Sequence, residues 1–94
     1  MTTLEGEGGA LAQTLRDRDP DALDRLIERY HYRLFRYLQY LARNRETAED
    51  VFQETWIRVL ERGHQYNGKT KFETWLFTIA RNLLIDRMRQ KDSS

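Results

Sequence analysis

The apolar residues of this 94-residue chain recur at steps of three and four, the spacing of helices that bury one face. The longest such run begins at Asp19-Pro20, where the aspartate can cap a helix and the proline suits its first turn, and continues to about Arg43. Its predicted buried stripe consists of Leu23, Leu26, Ile27, Tyr30, Leu34, Tyr37, Leu38 and Leu41. Residues Ala10 to Arg18 predict a shorter helix before it, whereas Met1 to Gly9 lacks periodicity and predicts a flexible N-terminal arm.

The segment from Thr47 to Gly63, TAEDVFQETWIRVLERG, predicts a third helix with two dissimilar faces. Thr47 is of the N-cap type, acids follow it in the first turn, and Gly63 predicts the C-terminal stop. The predicted core face contains Ala48, Val51, Phe52, Thr55, Trp56 and Val59. The opposite face, within about 100° of arc, contains Asp50, Gln53, Glu54, Ile57 and Glu61.

This second face is typical of a docking surface. From Glu46 to Glu61 there are five acids and a single base, Arg58, and the apolar Ile57 is exposed among them. An ordinary solvent-exposed face usually mixes both signs of charge. An acidic face in contact only with water is the alternative interpretation.

A polar loop, His64 to Thr70, follows, and its Asn67-Gly68 pair predicts a turn. The last predicted helix runs from about Lys71 to Gln90 and buries Phe72, Trp75, Leu76, Ile79 and Leu83. A second stripe on it contains no acid and is rich in groups that donate to phosphates or base edges: Lys71, Thr74, Thr78, Asn82, Ile85 and Arg89. A third, apolar stripe contains Phe77, Ala80, Leu84 and Met88.

No segment alternates as a strand does, so the sequence predicts an all-α fold, a compact four-helix domain over residues 10–91. Residues 92–94 are expected to begin a linker or to end a truncated form. The chain contains no cysteine, no apolar run long enough to span a bilayer and no leader pattern, so we expect a cytoplasmic protein without membrane insertion. Net charge is only +1, but Glu46 to Glu61 carries −4 and Lys69 to Lys91 carries +4, which suggests two partners of opposite charge.

Catalytic chemistry finds little support in the sequence. The only serines are Ser93 and Ser94, and neither His31 nor His64 has a second ligand at metal-binding spacing. Asp50 and Glu54 lie one helical turn apart, yet on an exposed convex face and without an oxygen-rich loop. We therefore expect no enzyme activity, no metal and no cofactor.

Two segments, AEDVFQETWIRVLERG and FETWLFTIARNLLIDRMR, resemble the second conserved region of sigma-70 family RNA polymerase subunits of the extracytoplasmic-function (ECF) type. The resemblance runs from about Asp19 to Arg89, in the family's order and with its short intervening loop. It implies that Asp50, Gln53 and Glu54 bind the clamp helices of the largest subunit of core RNA polymerase. Ile57, Arg58 and Glu61 on the same helix complete the predicted polymerase-binding set.

The resemblance also implies that the loop and the last helix bind the non-template single strand of the promoter minus-ten element and help to melt it. Tyr66 and Asn82 are the candidates for base contacts, by stacking and by an amide that both donates and accepts. Lys69, Lys71, Arg81 and Arg89 are expected to contact phosphates, with Thr74 and Thr78 on the same helical stripe. By contrast, the helical wheel places Phe72 and Trp75 on the buried side, and Tyr32 and Tyr40 receive no role.

The resemblance further implies an anti-sigma factor as a partner, and a second domain for the minus-thirty-five element that this chain does not include. One module alone is expected to have modest promoter specificity. The chief alternative is a helical protein-interaction or adaptor domain without DNA binding. A duplex-binding helix-turn-helix repressor is a weaker alternative, because such a protein would not present an acidic face on the helix before its reading helix.

Overall fold

Four α-helices and one short 3-10 helix form the fold in the computed structural model, which describes the backbone of residues 3–92 and the side chains of residues 10–90. The helices are α1 (Thr3–Asp17), α2 (Pro20–Ala42), α3 (Arg45–Arg62) and α4 (Phe72–Asp92), and the 3-10 helix (Gly63–Gln65) follows α3 directly. No strand occurs among the described residues, so the all-α, four-helix prediction is confirmed.

The long helix α2 begins and ends as the sequence predicts. Asp19 is its N-cap and accepts a hydrogen bond from the Asp21 amide at 3.1 Å, with Pro20 in the first turn. At the other end Arg43 adopts a left-handed conformation, and its N–H donates to the Gln39 carbonyl. The predicted stripe faces the core, where Leu34 and Leu38 are completely buried.

The start of α3 differs from the prediction. Its N-cap is Asn44, whose side chain accepts from the Thr47 amide at 3.3 Å, so Thr47 lies inside the first turn and is buried. Asparagine is as good a cap as threonine, and capping at Asn44 adds nearly one turn to the helix. Glu46 lies in that first turn, where the helix dipole favours an acid.

The N-terminal segment also differs from the prediction. Residues 3–9, predicted as part of a flexible arm, are helical and form the beginning of α1. Glycines reduce helix stability by about 1 kcal/mol each without forbidding a helix, and α1 is anchored further along by the buried Ala12 and Leu15. Met1 and Thr2 lie outside the described residues.

The core lies between α2, α3 and α4, and aromatic rings fill the end near the loop. Phe72 contacts Tyr30, Tyr66 and Trp75, with ring centroids 5.4, 5.7 and 5.7 Å away. Phe72 is buried and Trp75 is partly buried against the core, so the interpretation of both as core residues is confirmed. This cluster fixes the loop after the 3-10 helix relative to the start of α4.

The buried face of α4 is rotated from the predicted one. Ala80 and Leu84, assigned above to a separate apolar stripe, are completely or almost completely buried, whereas Ile79 is only half-buried. The reason is that α4 is covered from two sides: Tyr37 of α2 packs on Phe77 at 5.0 Å between ring centroids, and α3 covers the other side. The buried arc is centred between these two neighbours.

Candidate functional site

Six side chains of α3 line an open groove. The polymerase-binding prediction requires these side chains to be accessible. Asp50, Gln53, Ile57 and Glu61 are exposed, and Glu54 and Arg58 are half-buried. Ile57 is 52% exposed, so the charged face also offers an apolar contact. The groove encloses about 550 Å³, and its seventh lining residue comes from α4: we call Asp50, Gln53, Glu54, Ile57, Arg58, Glu61 and Arg87 the acidic groove.

The seventh residue, Arg87, was missed by the sequence analysis. Its guanidinium donates to the Asp50 carboxylate at 2.8 Å and lies 3.7 Å from that of Glu54. Arg58 pairs with Glu54 at 3.5 Å and with Glu61 at 3.9 Å. Three acids and two bases leave the acidic groove with a net charge of −1, which is much less negative than the −4 of residues 46–61. The basic composition of α4 was visible in the sequence, but the pairing across 37 positions was not.

The predicted nucleic-acid contacts on α4 lie on one accessible face. We call Lys71, Thr74, Thr78, Arg81, Asn82 and Arg89 the α4 polar face, and all six are exposed. The Thr78 hydroxyl donates to the Thr74 carbonyl at 2.7 Å, which leaves its oxygen able to accept from a ligand. Ile85, on the same predicted stripe, is half-buried.

The loop before α4 holds Lys69 in the solvent. Gly68 has a φ of 78°, a left-handed conformation that favours glycine, and the Lys69 amide donates to the Asn67 side chain at 2.9 Å. The predicted Asn67-Gly68 turn is thus confirmed. Lys69 itself is exposed next to the N-terminal end of the α4 polar face.

The prediction that Tyr66 stacks on a base is wrong. Its side chain is 1% exposed, packs against Phe72 and Trp75, and donates its hydroxyl proton to the Thr70 carbonyl. Burial, with a smaller effect of the neighbouring Tyr30, raises the pKa of Tyr66 above its ordinary value. A ring enclosed in this way cannot stack on a base without leaving the core, so Tyr66 shapes the loop from inside.

A second groove of about 260 Å³ connects the two surfaces. It is lined by Arg58, Arg62, Ile79, Asn82, Leu83 and Asp86. Arg58 therefore borders the acidic groove on one side and the groove that contains Asn82 on the other. The two predicted binding surfaces lie next to each other on α3 and α4.

The described residues contain no group of three or more side chains that could hold a metal ion. No helix within the same part of the chain combines the length and apolarity needed to cross a bilayer.

Residues 26–94 match the family model for sigma-70 region 2. The chain belongs to this family. Similar proteins include the ECF RNA polymerase sigma factor SigX of Bacillus subtilis, which is 37% identical over 68 residues, covering 72% of this chain and 35% of that protein. The ECF RNA polymerase sigma factor BldN of Streptomyces coelicolor is 40% identical over 73 residues, 76% of this chain and 27% of that protein.

A third relative, the ECF RNA polymerase sigma factor SigW of Bacillus subtilis, is 36% identical over 73 residues, 78% of this chain and 39% of that protein. The names of these relatives confirm the resemblance to the ECF type. This region 2 chain spans about a third of the length of the curated relatives it matches. No solved structure matches it significantly.

Proposed function

We propose that this region 2 domain binds core RNA polymerase and helps to recognise and melt the promoter minus-ten element during transcription initiation. The observation that carries the proposal is the placement of two chemically different, accessible surfaces side by side, with Arg58 bordering both. A domain that holds a polymerase and a melted strand at once needs two such surfaces.

Polymerase binding is assigned to the acidic groove, with Asp50, Gln53 and Glu54 against the clamp helices. Its acids and its exposed Ile57 together suit a partner surface that is basic and partly apolar. The domain itself is non-enzymatic in this proposal and needs no cofactor, because catalysis belongs to the polymerase. It acts in the cytoplasm, where an anti-sigma factor competes for the same surfaces.

DNA binding is assigned to the α4 polar face with Lys69. The lysines and arginines neutralise phosphates, which makes binding dependent on salt, and Asn82 reads the edge of an unstacked base. Asn82 suits this role because it is exposed at the border of a groove, where a flipped base can enter.

The polymerase assignment is tested by binding to purified core RNA polymerase. The triple variant Asp50→Ala, Gln53→Ala, Glu54→Ala is expected to lose binding. A matched control, Asp24→Ala, Glu28→Ala, Gln39→Ala, removes the same three residue types from exposed positions on α2. Because both sets are accessible, both variants are expected to stay folded, as thermal unfolding will show. Equal binding by the two variants would refute the assignment of the acidic groove.

Strand preference separates the proposal from its alternatives. We expect binding to single-stranded minus-ten sequence that Asn82→Ala weakens, and no effect of Gln13→Ala, which removes an exposed amide from α1. An adaptor domain would bind neither strand form, and a repressor would bind the duplex only. Either of these results would overturn the DNA assignment.

A further inference from the structure

The solvent face of α2 carries a second basic surface, distinct from that of α4. Six exposed residues lie within about 100° of arc along the helix, four arginines and two tyrosines, and the exposed Arg43 follows them at the C-cap. We call this set the α2 basic face: Arg25, Arg29, Tyr32, Arg33, Arg36, Tyr40 and Arg43. It contains no acid, and its 18-residue separation from end to end corresponds to about 27 Å.

The charge of this region is of one sign, unlike that of the acidic groove, where Arg58 and Arg87 pair with the acids. Residues 29–45 contain five arginines and no acidic residue. The overall charge of +1 conceals this run, because acids elsewhere compensate for it. A helix face of one sign attracts a ligand of the opposite sign over distances set by the ionic strength.

The two tyrosines of the α2 basic face are strongly exposed to solvent. Tyr32 is 64% exposed and Tyr40 is 81% exposed, so neither contributes appreciably to the core. The guanidinium of Arg36 lies over the Tyr32 ring, 5.7 Å from its centroid. Exposed rings between arginines can stack on unpaired bases while the arginines contact the neighbouring phosphates.

The α2 basic face is joined to the start of α4. Arg33 forms an ion pair with Glu73 in the first turn of α4, between Lys71 and Thr74 of the α4 polar face. A few residues further along, Tyr37 packs on Phe77, so the two helices remain in contact. A strand bound along α4 can therefore continue onto α2 without crossing an acidic surface at this junction, since the carboxylate of Glu73 is paired.

We propose that the α2 basic face is an additional binding site for single-stranded DNA. It takes the strand by its phosphates through the arginines and by sequence-tolerant stacking on Tyr32 and Tyr40. An acidic protein surface would also satisfy the arginines, but the alternation of exposed rings with arginines favours a single strand, whose bases and phosphates alternate in the same way. The choice of DNA as the ligand rests on the proposed function, whereas the location on α2 does not.

The test measures how salt weakens binding of the 94-residue chain to oligothymidine of about 16 nucleotides, the upper site size of a single-strand-binding fold. The variant Arg25→Gln, Arg36→Gln removes two charges from the α2 basic face. A second variant, Lys71→Gln, Arg81→Gln, removes two from the α4 polar face. The control, Arg16→Gln, Arg18→Gln, removes two from exposed positions outside both surfaces.

Each phosphate contact contributes about 0.7 to the slope of log K against log salt concentration, so the α2 variant is expected to lose about 1.4 and the control nothing. If the slope of log K against log salt concentration decreases only for the α4 variant, the inference is overturned and the proposed function stands. If it decreases only for the α2 variant, the inference stands and the DNA assignment of α4 fails. If it decreases for neither, or if the native chain does not bind, both are overturned.

Tyr40 distinguishes a single strand from any other polyanion. Tyr40→Leu is expected to weaken binding by about 5- to 150-fold, the range for loss of one stacked base, whereas Tyr40→Phe keeps the ring and is expected to retain affinity. Equal affinities for the leucine and phenylalanine variants would refute stacking and with it the proposed single-strand site. Because Tyr40 is 81% exposed, both variants are expected to fold as the native chain does.

Discussion

The structure predicts whether replacing Gly63 by alanine stabilises or destabilises the fold. The sequence identifies it as a helix stop, yet its φ of −57° and ψ of −31° are right-handed helical values that any residue adopts. What requires glycine is space: a Cβ at this position would lie 3.0 Å from Leu15 Cβ and 3.1 Å from Leu15 Cδ2. Gly63 therefore permits α1 to pack closely against the 3-10 helix.

Two opposing effects determine how Gly63→Ala changes the free energy of unfolding. Alanine restricts the unfolded chain and should stabilise by about 0.4–1 kcal/mol where the backbone is compatible. Overpacking a filled site costs about 1–3 kcal/mol. Leu15 is 3% exposed, and its Cβ cannot rotate away from the new methyl group, so α1 must move. The overpacking cost should prevail, giving a net destabilisation of about 1 kcal/mol.

Urea unfolding followed by circular dichroism measures this difference, and a double-mutant cycle with Leu15→Ala isolates its cause. The truncation removes two of the three close contacts, those of Cγ and Cδ2, and keeps that of Cβ, so Gly63→Ala should cost less in that background than in the native chain. The reasoning is refuted if Gly63→Ala stabilises the native chain, or if it costs the same in both backgrounds.

Three further predictions concern single side chains. Tyr66→Phe removes a partly buried hydrogen bond and should lower the free energy of unfolding in urea by about 1 kcal/mol. The folded state raises the pKa of Tyr66 above its ordinary value of about 10, so the native chain should lose stability as pH rises past that value. The variant, which lacks this hydroxyl, should lose less. Asn44→Ala removes the α3 cap and should cost about 1 kcal/mol by the same assay, whereas an unchanged midpoint would contradict the capping role. Arg87→Gln removes the cation that neutralises Asp50, so binding to core polymerase should tighten at low salt and the gain should vanish at high salt; weaker binding would show instead that Arg87 contacts the partner.

Much of the architecture follows from the sequence because helical periodicity is a local property. Asp19-Pro20 specifies the start of α2 through its own capping chemistry, and steps of three and four place Leu34 and Leu38 on one face whatever lies opposite. For the same reason Asp50 and Ile57, on the opposite side from the core residues of α3, could be predicted to be accessible.

Only the tertiary structure decided how these faces meet. Tyr66 lies in a loop without periodicity, so nothing local showed that its ring fills the space beside Phe72. Helical geometry fixes which side chains of α4 share a face. Which face is buried depends on the helices that pack against α4 from two sides, and their positions bring Ala80 into the core. Gly63 and Arg87 owe their roles to contacts with residues distant in sequence, and such contacts arise from the packing of whole helices.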